Sequence, residues 1–299
     1  MPTHISQKTI TRQAPAKLNL FLHITGRRED GYHLLQSVFM RIDWFDTLRF
    51  ELTDDGCITR TNDLNKMGKP LPDIDLSVRA AMALKSHTGV AFRGHLGAHI
   101  ALEKRIPSEA GMGGGSSDAA TTLLALNELW QTGLSLDQLA AIGVTLGADV
   151  PFFLYEQDAW VEGIGEEITP INLSKMPIAS KFLVIKPPSG VSTPDVFNSP
   201  NLARNTKTAT IEGFAAWTES NASQQYLEPF GCNDLQPVAL QICPDIPTAL
   251  SWFKTQGLIG RMTGSGSAVF APIPDFYDLT TAPSLPAGWI CRICSRIAP

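Results

Sequence analysis

The segment Gly111-Met-Gly-Gly-Gly-Ser-Ser117 is the part of this sequence best suited to chemistry, because it runs glycines straight into a helical spacing of Ala120, Leu123, Leu124 and Leu126. Glycine lets main-chain amides approach an anion closely, and a helix N-terminus adds the positive end of its dipole, so the loop predicts a phosphate site. Ser116 and Ser117 bring hydroxyls that suit phosphate oxygens, a metal ion or a helix cap. No Lys follows in the spacing of a Walker A loop, and Ser116 breaks the G-x-G-x-x-G frame of dinucleotide folds. A glycine run can also be only a tight turn. Three successive glycines and two serines directly before a helix favour the phosphate reading.

Phosphoryl transfer to a hydroxyl further needs a metal to neutralise charge and a carboxylate near the nucleophile. Asp149 is the candidate carboxylate: in Gly147-Ala-Asp-Val-Pro-Phe-Phe153 it follows a helix and precedes Pro151, a loop-like position from which it can project into a cleft. Its bland alternative is a cap on the turn that Pro151 starts. Lys17 lies in an alternating stretch, Pro15-Ala-Lys-Leu-Asn-Leu20, where a lone cation most often faces solvent. Asn19, two residues on, shares its strand face. His95 and His99 are spaced i, i+4, but the segment reads as strand and no third ligand is near, so they are structural and no metal-binding residue is assigned.

The elements that must position these residues read as α+β. Ala16 to Thr25 and Ser37 to Phe50 predict strands around the turn residues Gly26 to Gly31; Asp75 to His87 predicts a helix and His99 to Ile106 a strand. Ser135 with Gln138 fits a capping box for a helix that stops near Gly147. Farther on come a strand at Phe182 to Ile185, a Pro-Pro-Ser-Gly turn, a helix through Ala239 to Phe253 and a glycine-rich strand near Gly260 to Ala271. A length of 299 residues suits two domains, drawn here as 1–166 and 167–299.

With 43% hydrophobic and 18% charged residues, folding is expected throughout. A formal net charge of -5 without clustered Lys/Arg disfavours nucleic acid as a partner. There is no apolar leader near the N-terminus and no run of about 18 apolar residues, so neither secretion nor a membrane partner is expected. Five scattered cysteines suit a reducing, cytoplasmic setting, and the single Cys291-x-x-Cys294 pair is weak support for zinc or redox chemistry.

The stretch Pro107, Ser108, Glu109, Ala110, Gly111, Met112, Gly113, Gly114, Gly115, Ser116 and Ser117 resembles the P-x-x-x-G-L-G-G-G-S-S loop of the GHMP kinases, with Met112 in place of Leu. Pro15 to Leu20, Gly31-Tyr-His-Leu-Leu-Gln36, Gly147 to Phe153, Gly163-Ile-Gly-Glu166, Val191-Ser-Thr-Pro-Asp-Val-Phe197, Asn233-Asp-Leu235 and Gly264-Ser-Gly-Ser267 narrow the resemblance. They point to the branch whose acceptor is 4-diphosphocytidyl-2-C-methyl-D-erythritol. Thr263, where Ser is common, Ser189 and the C-terminal tail depart from it.

The resemblance implies a two-domain GHMP kinase fold: a ribosomal protein S5 domain 2-like N-terminal domain and a ferredoxin-like α/β C-terminal domain. It implies ATP with Mg2+ over the loop of 107–117, Asp149 as catalytic base, and Lys17 beside it keeping the acid ionised. Asn19 would hydrogen-bond the acceptor, Tyr32 and His33 would hold the cytidine, Phe197 would stack as the second ring, and Thr193 would touch the same substrate. A small cytidylyl molecule is then the partner, for a monomer or weak homodimer. The competing readings are another GHMP acceptor (mevalonate, homoserine or galactose) and a non-catalytic protein that keeps the fold for binding.

Overall fold

The chain opens on two long strands, β1 (Thr9–Arg27) and β2 (His33–Thr53), and the stretch Ala16–Ile24 of β1 is almost wholly buried. The turn between them is closed by Gly31 N–H to Arg28 O at 3.0 Å and Arg28 N–H to Tyr32 O at 2.7 Å, with Gly31 left-handed at φ 93. The computed structural model describes residues 8–61, 71–88, 96–222, 229–282 and 284–298. After β2 come β3 (Ile58–Arg60), α1 (Leu76–Thr88), β4 (Gly97–Glu103), α2 (Gly114–Leu129), α3 (Leu136–Leu146), α4 (Val150–Leu154), β5 (Ala159–Glu162), β6 (Glu167–Pro170) and β7 (Lys181–Lys186). Then follow α5 (Thr193–Asn198), α6 (Ile211–Ser220), α7 (Gln236–Ile242), α8 (Asp245–Thr255), β8 (Arg261–Met262), β9 (Val269–Ile273) and β10 (Ile290–Ser295). Two compact units are built from interleaved segments: Met1–Ala16, Trp44–Pro107 and Gly113–Glu156 in the first, Lys17–Asp43, Ser108–Met112 and Gln157–Pro299 in the second.

In the first unit β4 pairs antiparallel with the end of β2, Leu48 opposite Leu102, and parallel with β3. Helices α1 to α4 pack on one another, with Ala119, Ala120, Leu123 and Leu126 of α2 buried. The sequence-predicted capping box is formed: Gln138 N–H donates to Ser135 Oγ at 3.3 Å and Ser135 N–H to Gln138 Oε1 at 2.9 Å, and α3 stops at Gly147.

A buried ionic cluster sets the chain that enters the glycine loop. Lys104 donates to Asp46 and, at 2.6 Å, to Asp118 of α2, while Asp46 Oδ1 accepts from the N–H groups of Arg105 (2.5 Å) and Ile106 (2.8 Å). One cation between two carboxylates leaves a surplus negative charge, and burial pushes the Asp118 carboxyl up to about 8 against the pull of Lys104, with Asp46 adding to the push. A carboxyl raised above its unfolded value of 3.8 stabilises the fold fully below that value and loses the contribution as pH rises through about 8. Asp118→Asn, which imitates the protonated form, is therefore expected to flatten the decline of melting temperature between about pH 6 and 8.5 and to exceed the wild type at the alkaline end. Scanning calorimetry at the two pH values checks it, and a steeper decline in the variant would contradict the charge assignment.

In the second unit β5 pairs antiparallel with the start of β2, Val38 opposite Trp160, and β6 with β5. A separate antiparallel sheet has the order β10-β7-β9-β8. An aromatic cluster of Phe21, Trp160, Phe214 and Phe230 fills this unit, with Phe21 and Phe230 edge-on at 5.1 Å. Two details differ from the sequence reading. The helix through Ala239 to Phe253 is two helices, α7 and α8, because Cys243 is extended (φ -125, ψ 99) and Pro244 cannot continue the ladder. The glycine-rich strand near Gly260 to Ala271 is β8, a tight turn at Gly264 to Ser267, and β9, since Gly264 and Gly266 take φ 52 and 87.

Candidate active site

The glycine loop is shared between the units, and each part has its own setting. In the second unit Ser108–Met112 lies along the turn after β8: Ser267 N–H donates to Glu109 O at 3.0 Å and Ala268 N–H to Ala110 O at 3.3 Å. Gly111 is left-handed at φ 69, and a Cβ there would stand 2.2 Å from Thr263 O, so no other residue fits. Asn233 fixes the turn by donating through Nδ2 to Met262 O (2.8 Å) and Gly264 O (2.9 Å).

In the first unit Gly113 is the left-handed N-cap of α2 at φ 70, without a side-chain cap. A Cβ on Gly114 would press Ile106 Cγ2 at 3.0 Å, so the first turn sits tightly on the chain that Lys104 and Asp46 hold. Left-handed Gly113 opens directly onto the start of α2, whose first-turn amides suit an anion such as a phosphate group. Ser117 Oγ is fully buried and finds no hydrogen-bond partner among the described residues, so it fits a cation otherwise ligated by phosphate and water.

Asp149 occupies the N-cap position of α4 with helical angles (φ -79, ψ -11), yet its side chain makes no capping hydrogen bond. The capping alternative is therefore not what its carboxylate does. Its approach from α3 adjoins the loop: a Cβ on Gly147 would lie 3.7 Å from Ser116 Oγ.

Lys17 and Asn19 are brought together in the second unit, 3% and 1% exposed. Lys17 N–H donates to Met112 O at 3.0 Å, its Nζ donates to Asn19 Oδ1 at 2.5 Å, and Nζ stands 4.4 Å from the centroid of the Phe39 ring. Asn19 is held in turn: its N–H donates to Thr263 Oγ1 at 3.0 Å, and its Nδ2 to Ser37 Oγ at 3.0 Å. The amine of Lys17 is buried against an amide oxygen and a ring face, not turned to solvent as a lone strand lysine usually is.

His33 and Phe197 also meet, their rings 5.2 Å apart and 40° from coplanar. The imidazole is held below its ordinary value by burial first, then by Arg204 and Arg27. Tyr32 is 59% exposed, a ring turned out to solvent. Thr193 starts α5 and shares a 2.7 Å hydrogen bond with Ser265.

His95 lies outside the described residues; both ring nitrogens of His99 meet threonine hydroxyls, Thr59 and Thr61, at 2.9 Å. Cys291 and Cys294 are three apart on β10, which puts them on opposite faces, and burial pushes their thiols up to about 11 and 12. Thr263, Ser37, Asn233 and the Lys104 cluster escaped the sequence reading as site supports. The Asn233-Asp-Leu235 and Gly264 to Ser267 motifs marked two of these neighbourhoods without revealing what they hold.

These features define a phosphoryl-transferring enzyme of one class. Two family profiles match the chain, "GHMP kinases N terminal domain" over residues 75–157 and "GHMP kinases C terminal" over residues 208–281. The 4-diphosphocytidyl-2-C-methyl-D-erythritol kinase of Polaromonas naphthalenivorans (strain CJ2) is 59% identical over 288 residues, covering 95% of this chain and 91% of its own. A crystal structure of 4-(cytidine 5'-diphospho)-2C-methyl-D-erythritol kinase superposes with TM-score 0.72 at 34% identity, over 88% of this chain and 90% of its own. Homoserine kinase from Cytophaga hutchinsonii, at 16% identity, shares the fold with TM-score 0.70 over 100% and 98% of the two chains. The chain belongs to the GHMP kinases, which take ATP as phosphate donor. No helix among the described residues is long and apolar enough to cross a membrane.

Proposed function

We propose that this chain transfers the γ-phosphoryl group of ATP to the 2-hydroxyl of 4-diphosphocytidyl-2-C-methyl-D-erythritol, giving the 2-phosphate and ADP in the non-mevalonate isoprenoid pathway. The observation that carries the reading is the 59% identity, over 95% of the chain, to a relative bearing that substrate in its name. The pairing of His33 with Phe197 supports a planar base in the acceptor.

In this reading the amides of Gly111 to Ser117 receive the phosphates. Asp149 takes the proton of the 2-hydroxyl as that oxygen bonds to the γ-phosphorus, the bond from phosphorus to the bridging oxygen breaks, and ADP leaves. Lys17, held by Asn19, adds positive charge to the same transfer as negative charge develops. Ser117 is the protein oxygen that would hold magnesium, whose charge would offset that of the phosphates when bound. Tyr32, His33 and Phe197 receive the cytosine, and Asn19 and Thr193 complete the acceptor site. The module 1–166 carries the ATP loop and the catalytic residues and 167–299 contributes to the substrate cleft, in a cytoplasmic monomer or weak homodimer with no nucleic-acid partner. The separate family matches at 75–157 and 208–281 support that division.

The test is a four-acceptor assay with ATP and magnesium. The cytidylyl acceptor is expected to exceed mevalonate, homoserine and galactose by about four orders of magnitude in kcat/KM, as sites built around polar recognition do. Preference for any of the other three would replace the acceptor. Failure to bind ATP in calorimetry would instead favour a binding protein.

A further inference from the structure

Arg204, in the segment after α5, is placed to control the imidazole of His33 and the end of the helix that carries Phe197. Its Nε donates to His33 Nε2 at 2.9 Å, and its two terminal nitrogens donate to Leu202 O (3.0 Å), Phe197 O (3.3 Å) and Ser199 O (2.8 Å). A guanidinium has donors and no acceptor and does not give up its proton, so the nitrogen facing it must be the one with the lone pair. The His33 proton is then on Nδ1, and a second proton would have to enter at Nε2 against a cation. His33 is only 8% exposed, and Arg204 and Arg27 both oppose protonation of its ring.

We infer that Arg204 is a positioning residue for the acceptor's base: it locks His33 as the neutral Nδ1–H tautomer and ties that ring to the backbone of Phe197. One side chain thereby presents a fixed N–H donor and a stacking ring as a single preformed surface, which lowers the ordering needed when a planar base arrives. The inference rests on the reading that His33 and Phe197 receive the cytosine, and goes beyond it by naming what orients them.

The test is Arg204→Gln in the full chain, with Arg204→Lys as the second variant should the first fold poorly. Nitrogen-15 NMR of the histidine-labelled, ligand-free protein reads the tautomer. The wild type is expected to show Nε2 as the lone-pair nitrogen; Arg204→Gln is expected to admit the Nε2–H form and to let the ring titrate nearer its ordinary value. Loss of one charge-assisted hydrogen bond at the ring is expected to raise KM for the cytidylyl acceptor about tenfold, more steeply below about pH 6.5, with kcat and KM for ATP unchanged. Arg204→Lys, which keeps the charge and loses the fork, is expected to fall between. An unchanged tautomer, or an unchanged acceptor KM, would overturn the inference. His33→Ala separates the two levels: if it raises acceptor KM while Arg204→Gln does not, only the role of Arg204 fails, whereas unchanged KM in His33→Ala removes the cytosine placement itself.

Discussion

Asp149→Asn lowers kcat about a thousandfold and leaves KM for ATP near the wild-type value, the loss expected when a positioned general base becomes an amide of the same shape. The fold is expected to survive, because α4 takes no capping hydrogen bond from this side chain and draws its start from Val150 N–H to Gly147 O at 3.1 Å and from Pro151. Melting temperature and circular dichroism separate the chemical loss from a structural one. A folded Asp149→Asn enzyme with near wild-type turnover would remove the carboxylate from the mechanism.

The second large effect is at Lys17. Lys17→Met keeps an unbranched apolar stem in the buried site and removes the charge, and kcat is expected to fall about a hundredfold, the scale of one electrostatic contact to a transition state. Asn19 Oδ1 still accepts from Thr263 Oγ1 at 3.3 Å, so the substitution does not strand its carbonyl. Lys17→Arg is expected to rescue little, because the wider fork must enter a site 3% exposed beside the Phe39 ring. Steady-state kinetics for both substrates checks this, and an unaltered kcat in Lys17→Met would show that its charge serves packing alone.

The two residues illustrate how much the sequence discloses. The strand carrying Lys17 was legible from its alternation, and the loop and the start of α2 from glycines preceding a helical pattern. What no pattern disclosed was that Lys17 is buried, since that depends on Thr263 and Ser37, which are 246 and 20 positions farther along the chain and meet it through Asn19. The same holds for Asp118: a carboxylate in an early helical turn reads as a favourable surface charge, and its raised pKa comes from Lys104 and Asp46, which only the fold brings to it. Arg204 lies in a polar stretch without periodicity, where a basic residue looks like solvated loop until His33, 171 positions away, is placed against it. Helix ends were legible where local chemistry fixes them, as at Ser135 and Gly147. They were misread at Pro244, where apolar spacing runs on through a break that one ring imposes.

The most direct measurement is the position of the new phosphate. Enzyme, ATP and magnesium are incubated with the cytidylyl acceptor, and the product is followed by phosphorus NMR alongside ADP release. One phosphomonoester at the 2-position of the methylerythritol unit is expected for each ADP formed, and none with Asp149→Asn on the same timescale. A phosphate on any other oxygen, or ADP formed at the same rate without the acceptor, would contradict it.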